Sequence, residues 1–185
     1  MIAFDATALA LLINPSALPP LDPSTRQPVV DAKGRYELLA SKIQSSKQTI
    51  IIPTPALAEV LVKAGDDAGA FIQRIDRTAC FKVADFDFRA AMEVAAMTRA
   101  AIRRGDKRDG SAEPYQKIKV DRQILAIARV ANAECIYSDD QNMFAFASLL
   151  GLKVVRTWEL PSPPLPDPSL FDEAGEPAWI RKEKG

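Results

Sequence analysis

Acidic side chains in four separate segments carry the chemistry this sequence can offer. They are Asp5 in Phe4-Asp5-Ala6-Thr7, Glu59 in Ala58-Glu59-Val60, Asp121 in Val120-Asp121-Arg122, and the adjacent Asp139 and Asp140 after Tyr137-Ser138. Carboxylates that converge repel one another unless they are protonated or share a cation. Hard oxygen donors select a hard divalent ion, Mg²⁺ or Mn²⁺. The chemistry such a centre supports is hydrolysis of phosphodiesters. The chain contains no histidine, which removes His-based hydrolase triads and zinc sites with His ligands.

The acids can meet only if the elements bearing them end at one edge. Ile2 to Asp5 reads as a buried strand closing on an acid, and Ala6 to Ile13 as the helix after it. Asn14 to Pro28 holds five prolines (Pro15, Pro19, Pro20, Pro23 and Pro28) and reads as an irregular insertion, extending to about residue 30. Tyr36, Leu39 and Ile43 give a helix over 31–47 its apolar face. The β-branched run Thr49 to Ile52 predicts a strand buried on both faces, with Thr54 as N-cap of a helix and Pro55 in its first turn. Further on, the pattern predicts helix 67–77, strand 80–83, helix 86–104 and a polar loop 105–114. A helix from about Val120 to Asn132, strand 134–137, helix 141–150 and strand 153–156 complete the alternation. Strands alternating with helices argue for an α/β domain with a central parallel sheet of about five strands. We expect a single domain over 1–160 and a proline-rich, loosely ordered tail over 161–185, with Phe171, Trp179 and Ile180 available to dock it.

Composition narrows the partners. The 24 basic and 24 acidic side chains cancel, so nucleic acid would be held by a local patch. The clearest is Arg103, Arg104, Arg108, Lys119 and Arg122, interspersed with acids around the 105–114 loop. The apolar stretches are too short for a membrane span, and a cytoplasmic location is expected. Cys80 and Cys135 lack metal-ligand spacing and read as buried free thiols.

Each acid alone has a plainer explanation. Asp5, Asp139 and Asp140 stand where helix caps are common, Asp121 is placed near a helix start that favours acids, and Glu59 fits a solvated helix face. Jointly they form a pattern, because ligands in open parallel sheets bind beyond the carboxyl ends of the strands. Asp5 and the Asp139–Asp140 pair emerge there, and Glu59 and Asp121 lean to the same edge if their helices begin there.

In this order and spacing, Phe-Asp-Ala-Thr-Ala-Leu, Thr-Pro-Ala-Leu-Ala-Glu-Val, Val-Asp-Arg-Gln-Ile-Leu-Ala-Ile-Ala and Ile-Tyr-Ser-Asp-Asp before Gly-Leu-Lys-Val-Val resemble the PIN-domain nucleases. That family includes the VapC-type toxins of bacterial toxin–antitoxin pairs, and the resemblance spans Met1 to about Arg156. It implies a Mg²⁺- or Mn²⁺-dependent ribonuclease with Asp5, Glu59, Asp121 and Asp140 in the acidic site. Asp5, Asp121 and Asp140 would be ligands, with the adjacent Asp139 as a further ligand and Glu59 acting through water or as a base. Ser138 matches the family's hydroxyl position before the last acid, and Thr7 has a similar place beside Asp5. Asn142 stands where some members carry a further acid, which implies one metal rather than two. The implied partners are RNA, a small antitoxin protein and a second copy of the chain. The insertion after the first helix and the tail depart from compact toxin members.

Two other readings compete. Asp5 with the later aspartates also resembles fragments of a haloacid-dehalogenase-type phosphatase, but Thr7 stands where the second Asp is needed, and Glu59 and Asp121 would have no role. The other is a catalytically weak domain of the same fold that binds only RNA or a protein.

Overall fold

A computed structural model describes residues 1–14 and 16–164. The elements are β1 Ile2–Phe4, α1 Ala6–Ile13, α2 Ala32–Ser45, β2 Ile50–Pro53, α3 Thr54–Ala64, α4 Ala68–Arg77 and β3 Phe81–Ala84. They continue as α5 Phe88–Arg103, α6 Tyr115–Val130, β4 Cys135–Tyr137, α7 Gln141–Leu149 and β5 Lys153–Val155, with 3₁₀ turns at Gly65–Asp67 and Thr157–Glu159. The five strands form one all-parallel sheet in the order β3-β2-β1-β4-β5. This is the α/β architecture the alternation predicts.

The apolar runs explain the layering. Every residue of β1, β2 and β4 is buried, so the central strands need helices on both faces and read as unbroken apolar segments. Register pairs Ala3 with both Ile51 and Ile136, and Phe4 with Tyr137. Phe4 packs edge-on against Tyr36 at 5.5 Å and Tyr137 at 5.4 Å, directly behind the end of β1. Truncating Phe4 would open a cavity costing about 3–5 kcal/mol.

The strand order fixes where a site can form. Connections run outward from β1 to β2 and β3, then return to β4 on the other side of β1. The carboxyl ends of β1 and β4 therefore flank the point where the winding reverses, the usual crevice of an open parallel sheet. There the Asp5 N–H donates to the Tyr137 carbonyl at 3.1 Å.

Two boundaries differ from expectation in ways that matter. The helix expected from about Val120 begins at Tyr115, capped by Pro114. Its first turn is rich in lysine and hides its apolar face, although Ile118 is fully buried. Asp121 consequently lies in the second turn rather than at a helix start, and the macrodipole does not account for it. Thr54 is the first residue of α3 and not its cap; its hydroxyl instead accepts a hydrogen bond from the Phe86 N–H at 3.2 Å, tying α3 to the segment after β3.

The insertion folds back through an antiparallel bridge between Leu21 and Pro28 and buries Val29. Both cysteines are buried free thiols, and burial raises the pKa of each. Leu160 still belongs to the core. Residues 165–185, including Phe171, Trp179 and Ile180, lie outside the described residues.

Candidate active site

A cavity of about 290 Å³ opens at the β1–β4 crevice, faced by Asp5, Thr7, Glu59, Lys117, Asp121 and Asp140, with Val120, Ile124 and Met143 as apolar wall. Four elements far apart in sequence thus deliver carboxylates to one space.

Asp5 ends β1 and caps α1, its Oδ1 accepting from the Ala8 N–H at 2.9 Å. The capping role and the cavity role coexist, since a carboxylate has lone pairs for both. Only 4 % of Asp5 is exposed. Burial pushes its pKa up to about 7, against the pull of the Ala8 hydrogen bond and the Ser138 hydroxyl, while the Asp139 and Asp140 charges push further upward. Asp121 on α6 is 6 % exposed. Burial raises its pKa to about 6 although the Lys117 ammonium opposes this, and the Asp140 and Glu59 charges add to the rise.

Asp140 behaves oppositely. It caps α7, with Oδ1 accepting from the Asn142 N–H at 2.7 Å and the Met143 N–H at 3.1 Å. Its own burial works to raise the pKa, but Lys117 and the two backbone donors outweigh it and hold the carboxyl below its usual value. The Lys117 Nζ lies 2.6 Å from Asp140 Oδ2 and 3.2 Å from Asp121 Oδ2. Glu59 reaches the cavity from α3 while pairing with Lys63 at 2.7 Å on the half-exposed side.

Of the supporting residues, Thr7 lines the cavity. The Ser138 Oγ accepts from the Asp140 N–H at 3.1 Å, fixing the turn after β4. Asn142 contributes its main-chain N–H, and its amide does not line the cavity. Asp139 requires a correction. Its two carboxylate oxygens accept from the Thr157 N–H at 2.8 Å and the Thr157 hydroxyl at 2.5 Å. The second of two adjacent residues after a strand points away from the first, so Asp139 locks the Thr157–Glu159 turn where a metal-ligand role was expected. Thr157 in turn meets the buried Tyr36 hydroxyl at 3.2 Å.

The basic patch divides. Arg103, Arg108 and Lys119 are exposed, and Arg104 is half-exposed while pairing with Asp109 at 2.7 Å. Arg122 is not a surface residue and is removed from the expected RNA rim. It is 2 % exposed and donates to Asp109 at 3.0 Å, the Lys107 carbonyl at 2.8 Å and Thr98 at 3.3 Å. It borders a second, largely apolar cavity of about 70 Å³ among α5, α6 and α7.

Two residues that sequence reasoning missed are Lys117 and Arg156. Lys117 stands four residues before Asp121, the spacing that brings side chains together on a helix, and that spacing was the available signal. Arg156 follows β5 and is buried, donating to the carbonyls of Ser138 at 3.2 Å and Asp140 at 2.9 Å. It clamps the turn that presents Asp140, and no sequence motif marks it.

The donor types suit Mg²⁺ or Mn²⁺: hard carboxylate oxygens, two of them short enough of positive charge that burial keeps their protons on toward neutral pH. The arrangement as it stands does not close a cage, because among the described residues no three acidic, histidine or cysteine side chains group tightly enough to hold an ion. Between Asp121 and Asp140 the positive charge is the Lys117 ammonium.

No protein-family model matches this sequence, and no curated protein matches it. The structure is similar to that of VapBC2 from Rickettsia felis bound to a DNA fragment from its promoter, at 16% identity and a TM-score of 0.55, covering 84% of this chain and 98% of that one. It is similar to FitAB bound to an IR36 DNA fragment at 17% identity and a TM-score of 0.54, covering 87% and 98%. DNA-bound VapBC from Salmonella typhimurium matches at 14% identity and a TM-score of 0.51, covering 85% and 99%. At such identities the likeness is one of fold: the chain is an all-parallel, five-stranded α/β domain similar in fold to those proteins.

Proposed function

We propose that this chain is a divalent-metal-dependent endoribonuclease acting as the toxin of a toxin–antitoxin pair. The observation that carries the reading is the convergence of Asp5, Glu59, Asp121 and Asp140 from four segments on one cavity at the sheet's switch point. Mg²⁺ or Mn²⁺ bound there would acidify water and draw in phosphate oxygens.

The chain's own residues would divide the work. Asp5, Asp121 and Asp140 would hold the ion. Glu59, nearer solvent, would orient or deprotonate the attacking water. Ser138 and Arg156 fix the Asp140 turn, and Thr7 lines the wall beside Asp5. Exposed Arg103, Arg108 and Lys119 would supply the salt-sensitive grip on RNA that an acidic cavity cannot.

The phosphatase alternative loses its support here. It gives Glu59 and Asp121 no task, yet both face the same cavity as Asp5. A partner protein laid across the acidic cavity would block it. The fold neighbours are VapBC and FitAB structures bound to DNA, which favours an antitoxin-type partner. A second copy of the chain and a cytoplasmic location complete the proposal; among the described residues no helix is long and apolar enough to cross a membrane.

The test is cleavage of a panel of structured RNAs with and without Mn²⁺, using Asp5→Asn as control. Metal-dependent cutting that Asp5→Asn lowers by about 10²-fold or more supports the reading. Cutting by Asp5→Asn at the wild-type rate sinks it.

A further inference from the structure

Lys117 is the side chain that the nuclease reading leaves without a task. Its Nζ bridges Asp140 at 2.6 Å and Asp121 at 3.2 Å, inside the cavity that Asp5 and Glu59 also face. Lys63 is turned to the half-exposed flank of Glu59, and Arg156 gives its donors to the main-chain carbonyls of Ser138 and Asp140. Lys117 is therefore the positive group inside the acidic cleft among the described residues.

Its position is set by the backbone and is not a chance rotamer. Pro114 starts α6 early enough to add a full turn before Asp121, and the i, i+4 spacing then aims Lys117 along the face that carries Asp121. The same helical turn buries Ile118, which fixes the rotation of α6. Crossing to Asp140 makes the contact tertiary, joining α6 to the cap of α7.

Resting on the nuclease reading, we propose that Lys117 is the resident counter-ion of the cleft, that a divalent cation binds by displacing its ammonium from Asp121 and Asp140, and that Lys117 thereby sets the metal affinity of the site. One unipositive group on a flexible four-carbon stem is well suited to leave, since it is held as a point charge and not by a planar fork. It keeps the metal-free cleft from holding bare like charges. It also explains why carboxylates of the right type do not close a cage as they stand.

The experiment is calorimetric titration of Mn²⁺ alone into the full chain, at one fixed pH above the Asp5 titration, with circular dichroism to confirm folding. The variants are Lys117→Met, Lys117→Gln as a second neutral replacement, Lys117→Arg and Asp140→Asn. Removing the ammonium should tighten Mn²⁺ binding roughly tenfold, the order expected when two part-buried ion pairs no longer have to be broken. Lys117→Arg should weaken it, because a guanidinium holds two carboxylates more firmly than an ammonium. Equal or weaker binding in both neutral variants, with binding lost in Asp140→Asn, overturns the role of Lys117 and leaves the nuclease reading intact. Absence of Mn²⁺ binding in wild type and every variant overturns both.

Discussion

Asp121 and Arg122 are neighbours on one helix, both charged and both almost wholly buried, and they lead opposite lives. Arg122 turns toward α5 and the 105–114 loop, where Thr98, the Lys107 carbonyl and Asp109 take up its donors, and Asp109 is in turn held by Arg104. Asp121 turns toward the sheet edge, where the charges beside it are mostly of its own sign and a single ammonium is shared with Asp140. The first is a closed circuit of donors and acceptors; the second is short of positive charge. A buried charge that is fully paired holds structure together, whereas buried like charges with too few partners mark a place built to receive something.

The largest effect should come from opening the closed circuit. Arg122→Ala leaves the Asp109 carboxylate with half its partners and should cost about 3–5 kcal/mol of stability, read from urea unfolding. The 105–114 loop, which Arg122 pins through Lys107 and Asp109, should lose amide protection in the same variant. Unchanged stability would mean the two sides of α6 do not differ as drawn.

On the open side, Asp5→Asn should lower RNA cleavage by about 10²–10³-fold, the usual loss when one charge-stabilising group is removed from an active site. Its stability should not fall, because the substitution removes a charge that burial disfavours.

Stability against pH separates the regions next. Asp5 is raised to about 7 and Asp121 to about 6 in the fold, from 3.8. The folded protein holds these protons more tightly than the unfolded chain. Their contribution is therefore fully present below pH 3.8 and is lost as pH rises through about 6 and 7. For metal-free protein the unfolding free energy should fall over that window, by up to about 4 kcal/mol from Asp5. Asp5→Asn should flatten the profile, and a wild-type profile rising through the window would contradict the charge shortage.

The smallest effect belongs to the half-exposed rim. Lys63→Ala breaks only the surface pair with Glu59 and should change stability by less than about 0.5 kcal/mol, measured by thermal unfolding.

Much of this contrast was legible in the chain. Asp5 directly and Asp140 three residues on follow an apolar strand and cap the next helix, and those local signals place a carboxylate beyond a strand's end. The fully buried runs Ile2–Phe4 and Ile50–Pro53 mark central parallel strands. Arg122 was misplaced because a charged residue grouped with Arg103, Arg104, Arg108 and Lys119 reads as surface, and its partners Thr98 and Asp109 come from other segments. Asp139 was misplaced for a similar reason: Thr157 is eighteen residues away. The start of α6 was hidden because lysines mask the face that Ile118 anchors.

The sequence by itself determined the period of each element, the α/β class, and the donor chemistry of a chain with carboxylates and no histidine. These follow from local apolar patterning and residue type, which act over a few positions. The tertiary structure alone decided which acids share a cavity, that Asp139 is spent on Thr157, that Arg122 is interior, and that Lys117 stands between Asp121 and Asp140. Those depend on the winding reversal at β1–β4 and on the rotation of α6. Both are set by packing between segments distant in the chain, where no local pattern reaches.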